Sequence, residues 1–226
     1  MKGAYHELDT DNIVNSFNIF NHRSYRFMDS TNLRRTAKIL STVILATSTT
    51  AFADKSDRKG YFYGIRWENQ DGVNGGRDAN TYGMKFGKHV APWLDLSVST
   101  RVKDTTEGVE SNDTRLEAGA KFKHKINQRW TSSLYLGSGD KYVKNDNHSY
   151  WVVTPGVKYK INDKWSIGTS VRFRDSYDTD NQQQDTTYAA KVGYKIADDT
   201  TLDFRYRIKR GDSDYNAWGF GLNFEF

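Results

Sequence analysis

The sequence predicts an all-β chain folded as an antiparallel up-and-down β-barrel of about ten strands, with twelve strands as the alternative. Three observations support this fold class. Four blocks of similar sequence recur about every 36 residues, and apolar and polar residues alternate within each block. No apolar run approaches the roughly 20 residues that a membrane-spanning helix needs, since the longest candidate covers only residues 39–46.

The repeat has the form of a β-hairpin. An aromatic residue leads each block, and these residues are Phe86, Phe122, Tyr159 and Tyr194, spaced by 36, 37 and 35 residues. A few positions later come Trp93, Trp130 and Trp165, and Thr201 in the last block. The alternation on both sides of this step has the period of a strand with two unlike faces. We therefore predict hairpins with tight turns, joined to one another by longer polar loops.

Dividing the blocks gives ten predicted strands. They cover residues 60–68, 80–90, 93–103, 114–126, 130–143, 149–161, 165–175, 186–196, 201–209 and 215–226. Short turns on one side and long loops on the other are typical of outer-membrane barrels. A soluble β-sandwich would alternate in the same way, but the aromatic residues at both strand ends are typical of membrane girdles, and a face charged along whole strands suits a water-filled lumen.

Composition excludes several classes of protein. The mean hydropathy of −0.81 excludes a bundle of membrane helices, but not a barrel, which exposes only every second residue to lipid. The absence of cysteine excludes a disulfide framework and thiolate chemistry. Aromatic residues make up 14% of the chain, which suits the aromatic girdles of a membrane barrel.

The first 53 residues are predicted to lie outside the fold. Residues 28–53 have a basic stretch, a short apolar core and the sequence Ala51-Phe52-Ala53, which together predict a secretory signal peptide cleaved before Asp54. A short buried helix of a soluble domain is the alternative. Residues 1–27 fit no signal pattern and are predicted to be an upstream extension from a misassigned start. The barrel is then expected to span residues 54–226.

The last predicted strand is strongly amphipathic. Its apolar face consists of Trp218, Phe220, Leu222, Phe224 and Phe226. Here the chain resembles bacterial outer-membrane proteins as a class, whose assembly signal is an amphipathic final strand that ends in an aromatic residue. The resemblance implies insertion by the barrel-assembly machinery into a Gram-negative outer membrane, where lipid and lipopolysaccharide would be partners.

The opposite face of the strands is predicted to line the interior with basic residues. The predicted pore-lining residues are Arg66, Lys85, Arg101, Arg115, Lys121, Lys123, Lys158, Arg172, Arg174, Lys191, Arg205 and Arg207. A basic wall around a narrow lumen attracts anions and repels cations. The sequence therefore predicts a porin-like channel for passive diffusion of small anionic solutes.

Two other interpretations stay open. A barrel of about eight strands is filled by its own side chains, so inward charges could pair and close the interior. Acidic loops, with Asp104, Glu107, Glu110 and Asp113 in one and Asp178, Asp180 and Asp185 in another, could then bind a surface partner or divalent cations. The alternative function is a closed structural or adhesive barrel.

The chain also resembles a particular family, the small monomeric porins specific for oligogalacturonate. The likeness lies in its size, the signal peptide, inward Arg and Lys, and strand endings such as Gly119-Ala-Lys121-Phe122, Gly156-Val-Lys158-Tyr159 and Gly193-Tyr194-Lys195. The resemblance implies twelve strands and passive uptake of acidic oligosaccharides. It further implies that Arg172, Arg174, Arg205 and Arg207 bind carboxylates, which guanidinium groups suit well.

Catalysis is not predicted. The one candidate is a hydrolase sited in an outer loop at His148, with Asp146 and Ser149 nearby, since a histidine beside an acid can activate water. No metal-ligand spacing, glycine-rich phosphate loop or nucleic-acid motif appears in the sequence. We therefore expect neither a metal nor another cofactor.

Overall fold

The structure is a computed structural model that describes residues 60–73, 77–105, 113–143, 147–177, 184–211 and 213–226. These residues form ten β-strands. The strands are β1 (Tyr61–Gly72), β2 (Ala79–Ala91), β3 (Leu94–Thr105), β4 (Asp113–Lys125), β5 (Trp130–Tyr142), β6 (His148–Lys160), β7 (Trp165–Ser176), β8 (Asp185–Ala197), β9 (Thr200–Gly211) and β10 (Tyr215–Glu225). Each predicted strand is present, with boundaries shifted by a few residues. The predicted signal peptide and upstream extension lie outside the described residues.

The strands form one closed antiparallel barrel. Every strand pairs with its neighbours along the chain, and β1 pairs with β10 from Phe62↔Glu225 to Gly72↔Tyr215. The up-and-down barrel of ten strands is therefore confirmed, and the alternative of twelve strands is wrong, because the ring is already closed by the β1–β10 pairing. The described part of the chain contains no helix long and apolar enough to cross a membrane.

The two ends of the barrel differ in their connections. At one end, which we call the turn end, residues 92–93, 126–129, 161–164 and 198–199 join the strands. At the other, the loop end, the connections are residues 73–78, 106–112, 143–147, 177–184 and 212–214. The start of β1 and the end of β10 meet at the turn end, where the amide of Gly60 donates to the carbonyl of Phe226 (2.6 Å).

An asparagine builds two of the turns. The side-chain oxygen of Asn127 accepts the amides of Arg129 (2.9 Å) and Trp130 (2.9 Å). Asn162 makes the same two bonds one repeat later, to Lys164 (2.9 Å) and Trp165 (2.8 Å). Such side-chain bonds to nearby amides replace the backbone partners that a tight turn lacks.

Cross-strand aromatic pairs explain why the repeat carries a tryptophan and a leading aromatic residue. Trp130 lies opposite Tyr159, with ring centroids 4.7 Å apart, and Trp165 lies opposite Tyr194 at 4.6 Å. The tryptophan of one block thus packs on the leading aromatic residue of the next. These rings face outward at the turn end and form part of an aromatic girdle, as in barrels that span a bilayer.

Candidate functional site

The interior of the barrel holds the predicted site residues. All twelve of the predicted basic residues, from Arg66 on β1 to Arg207 on β9, lie on inward-facing positions, where they border a cavity or contact an inward carboxylate. The outward positions between them carry exposed apolar side chains, such as Ile65, Leu116 and Phe204. The alternation of the strands therefore divides a charged interior from an apolar exterior.

Three aspartates that were predicted in acidic outer loops lie in strands instead. Asp104 belongs to β3, whereas Asp113 and Asp185 are the first residues of β4 and β8 and are buried in the interior. The other acidic residues predicted in these loops lie outside the described residues. Asp113 bonds the guanidinium of Arg115 (2.5 Å), and Asp185 forms an ion pair with Arg174. These ion pairs hold the two residues in the strands, so the strands extend further than the apolar alternation indicates.

Glu117 is at the centre of an interior network. Its carboxylate receives two hydrogen bonds from Arg172, with Nη2 at 2.5 Å and Nη1 at 3.3 Å. The hydroxyls of Tyr135 (3.0 Å) and Tyr150 (3.1 Å) donate to its two oxygens. Because Glu117 lies on β4 and Arg172 on β7, this network bridges the interior rather than following one strand.

Further ion pairs fill the neighbouring part of the interior. Glu68 on β1 pairs with Arg207 on β9, and Asp185 contacts both Arg174 and Lys209. The side chains of Glu68 and Arg174 are each only 2% exposed. We call this set the ion-paired layer; its members are Glu68, Glu117, Arg172, Arg174, Asp185, Arg207 and Lys209.

A small residue of β10 allows the Glu68–Arg207 contact. Gly219 lies between β1 and β9 in the sheet, paired with Glu68 on one side and with Arg205 on the other. A Cβ atom at Gly219 would lie 2.6 Å from Cγ of Glu68. The glycine therefore lets two long side chains meet over the strand that separates them.

A basic chamber lies on the turn-end side of the ion-paired layer. This cavity has a volume of about 330 Å³ and is bordered by Arg101, Arg115 and Arg172 and by six further basic side chains. These six are Arg66, Lys85, Lys121, Lys158, Lys191 and Arg205. Lys191 bonds Asp203 (3.2 Å), and Arg66 lies 3.8 Å from Glu68. In the described part of the chain, no carboxylate forms an ion pair with the other four.

A second cavity, the vestibule, opens on the loop-end side of the ion-paired layer. Its volume is about 230 Å³, and its basic lining consists of Arg101, Lys103, Arg115, Lys141, Arg174 and Lys209. Thr81, Arg101 and Arg115 border both the vestibule and the chamber. The two cavities thus approach each other along the wall formed by β2, β3 and β4.

The four arginines that the family resemblance assigned to carboxylate binding differ in their surroundings. Arg172, Arg174 and Arg207 already bind carboxylates of this chain, namely Glu117, Asp185 and Glu68. Arg205 borders the chamber. Only Arg205 among the four has no ion pair within the residues that the structure describes.

The structure does not place His148 in an outer loop, so that part of the hydrolase prediction is wrong. His148 is the first residue of β6, is buried, and lies opposite Lys141. Ser149 follows it in the strand, points to the other face and donates to Asp140 (2.6 Å). Asp146 lies outside the described residues. Adjacent residues of a strand face opposite sides, so His148 and Ser149 do not form a catalytic pair.

Several interior residues were missed by the sequence analysis. These are Lys141 in the vestibule, Asp95, which bonds Lys123 and His89, and the tyrosines Tyr135, Tyr150 and Tyr215. Lys141 lies an even number of positions beyond the inward-facing Tyr135 along β5, so alternation places both on the same face. Among the described residues, no three histidine or carboxylate side chains are grouped so that they could hold a metal ion.

Comparison with known proteins gives distant structural similarities. No family model matches the chain, and no curated protein matches it. Solved structures that resemble it include the NanC porin (14% identity, 73% of this chain and 100% of that chain, TM-score 0.46). The KdgM porin is also similar (15% identity, 72% and 99%, TM-score 0.41), as is the β domain of the Bordetella autotransporter BrkA (12%, 75% and 100%, TM-score 0.46). The fold assignment itself rests on the strand pairing of this chain.

Proposed function

We propose that the protein is a porin-like channel of the Gram-negative outer membrane, through which small anionic solutes diffuse passively. The observation that carries the proposal is the basic chamber, in which Lys85, Lys121, Lys158 and Arg205 form no ion pair with a described carboxylate. Unpaired cations inside a low-dielectric wall concentrate anions and exclude cations. An apolar exterior with aromatic residues near the strand ends suits a bilayer, with the loop end outside the cell.

More specifically, we propose that the anionic solutes are acidic oligosaccharides. Ser133, Thr154, Ser170 and Asn223 border the chamber between its cations. Their hydroxyl and amide groups can bond sugar hydroxyls, while Arg205 can bind a carboxylate through two parallel N–H groups. A wall with both kinds of group suits a solute that is both charged and hydroxylated.

The route through the barrel follows the β2–β4 wall. The ion-paired layer fills the interior from Glu117 on β4 to Glu68 on β1, whereas Arg101 and Arg115 border both cavities. A solute that moves from the vestibule to the chamber therefore passes these two guanidinium groups. We infer that Arg101 has the greatest influence on selectivity, because Arg115 is already neutralised by Asp113.

Recording from purified protein in planar bilayers tests the proposal. With a potassium chloride gradient, we expect stepwise conductance and a reversal potential that shows chloride preference. Oligogalacturonate added on the loop side is expected to reduce the chloride current more than a neutral oligosaccharide of the same length. Cation preference would overturn the proposed function.

A closed structural barrel is the second candidate, favoured by the burial of the ion-paired layer and of Tyr150 and Val152, each 1% exposed. It predicts no conductance at any voltage from protein that is shown to be folded by its heat-sensitive mobility in gel electrophoresis. The same recordings thus decide between the two functions.

A further inference from the structure

A row of like charges crosses three neighbouring strands at the vestibule. Arg101 on β3 lies directly opposite Arg115 on β4, and Arg115 lies directly opposite Lys141 on β5. All three side chains border the same cavity. Like charges in directly opposed positions destabilise a sheet, so this arrangement needs an anion to offset it.

Among the described residues, carboxylates offset only part of this charge. Asp113 contacts Arg115 (2.5 Å), and Asp185 contacts Arg174 and Lys209. In the described residues, Arg101 and Lys103 form no ion pair with a carboxylate. The described lining of the vestibule thus has more cations than carboxylates, on a wall that is fixed by paired strands.

An unused donor borders the same cavity. The Nη1 atom of Arg174 is buried and has no hydrogen-bond partner, although the side chain is only 2% exposed. An unsatisfied donor on a buried charged group is unfavourable. A small shift of the Arg174 side chain towards the cavity that it borders would let a bound oxyanion accept from this N–H group.

We propose that the vestibule is a binding site for a compact multivalent oxyanion, of the chemical class of inorganic phosphate and pyrophosphate. A cavity of about 230 Å³ accommodates a small ion. Arginine forks match the oxygen geometry of a phosphate group, and several cations around one cavity favour an anion with more than one charge. Lipid phosphates are excluded as the source, because the site is inside the barrel and lipids contact its outer face.

This inference goes beyond the proposed channel. Binding requires the vestibule and its charges but no open path to the chamber, so a barrel that conducts nothing would still bind the anion. Absence of conductance and absence of binding are therefore separate results.

Calorimetric titration of the full folded barrel in phosphate-free detergent solution tests the site. We expect pyrophosphate to bind with one ion per barrel, and acetate at equal ionic strength to bind at least tenfold more weakly. The double variant Arg101→Gln/Lys103→Gln is expected to weaken pyrophosphate binding at least tenfold. Lys88→Gln is the matched control, because Lys88 is exposed on the outward face at the turn end, and it should change binding less than twofold.

Two further variants keep the test decisive. Lys158→Gln, in the chamber, should weaken pyrophosphate binding far less than the double variant in the vestibule does, and an equal loss there would place the anion in the chamber and overturn the proposal. Arg101→Gln alone should raise the unfolding temperature of the empty barrel by relieving repulsion, and should reduce the further rise that pyrophosphate causes in the unchanged protein. Equal affinity for acetate and pyrophosphate would also overturn it.

Discussion

The carboxylate of Glu117 on β4 and the guanidinium of Arg172 on β7 meet across the interior of the barrel, with Oε2 and Nη2 2.5 Å apart. Two strands separate β4 from β7 in the sheet, so this contact joins parts of the wall that are not adjacent. It also ties Tyr135 and Tyr150 to the same carboxylate. The interior is consequently held by side-chain bonds in addition to the backbone ladder.

Removing one partner of this pair is expected to destabilise the barrel. Glu117→Gln leaves Arg172 without its counter-ion, and Arg172→Met leaves Glu117 without its counter-ion. Each single variant should lose about 3 kcal/mol of unfolding free energy. The double variant should lose much less than the sum, because neither charge is then left alone. Urea unfolding in lipid vesicles measures these values. Strict additivity would show that the two residues do not interact.

Charge reversal at Arg101 is expected to change ion selectivity. Arg101→Glu places a carboxylate where the two cavities approach each other, which should shift the reversal potential in a salt gradient towards cations. Lys88→Glu changes the net charge by the same amount on the outward face and should leave the reversal potential unchanged. An equal shift from both variants would point to a general surface effect and contradict the route past Arg101.

Loss of a turn asparagine is expected to weaken the fold modestly. Asn162→Ala removes two hydrogen bonds to the amides of Lys164 and Trp165, which should cost about 1 kcal/mol of unfolding free energy. Gln128→Ala, at an exposed position in the other asparagine turn, is the control and should have little effect. If both substitutions had equal effects, the asparagine bonds would not determine the stability of the turns.

The aromatic residue that follows β10 is expected to govern assembly. Phe226 stacks on Tyr63, with ring centroids 5.6 Å apart, and its amide donates to the carbonyl of Tyr61 (2.9 Å). Phe226→Ala should lower the fraction of folded barrel in the outer-membrane fraction several-fold. Phe86→Ala removes another outward ring at the turn end, which stacks on Tyr61, and should lower it far less. Equal losses would mean that Phe226 contributes only packing.

Alternation along the strands was sufficient to predict which side chains face inward. A residue two positions from an inward residue faces the same way, so Arg205 and Arg207 could be placed from the pattern of β9 alone. The same rule reaches Lys141 from Tyr135, but Gly137 and Gly139 lie between them and conceal the pattern. Glycine has no side chain to show which face it occupies.

The ion pairs could not be predicted in this way. The contact of Glu68 with Arg207 joins residues 139 positions apart and depends on the small size of Gly219 between them. The inward positions of Asp113 and Asp185 depend on where β4 and β8 begin. The alternation predicts that each of these strands begins one residue later. The face that a side chain occupies depends on its position within its own strand. The residue with which it forms an ion pair depends on how the closed barrel brings distant strands together.

The pairing of β1 with β10 has a consequence for biogenesis. The strands that complete the ring are the first and last of the ten, so both edges of the growing sheet stay unpaired until β10 is available. Unpaired edges are templates for aggregation, and contacts between distant parts of a chain form slowly. We therefore expect the unfolded polypeptide to aggregate unless its open edges are protected, and we expect a chain that ends before Tyr215 to leave the ring open.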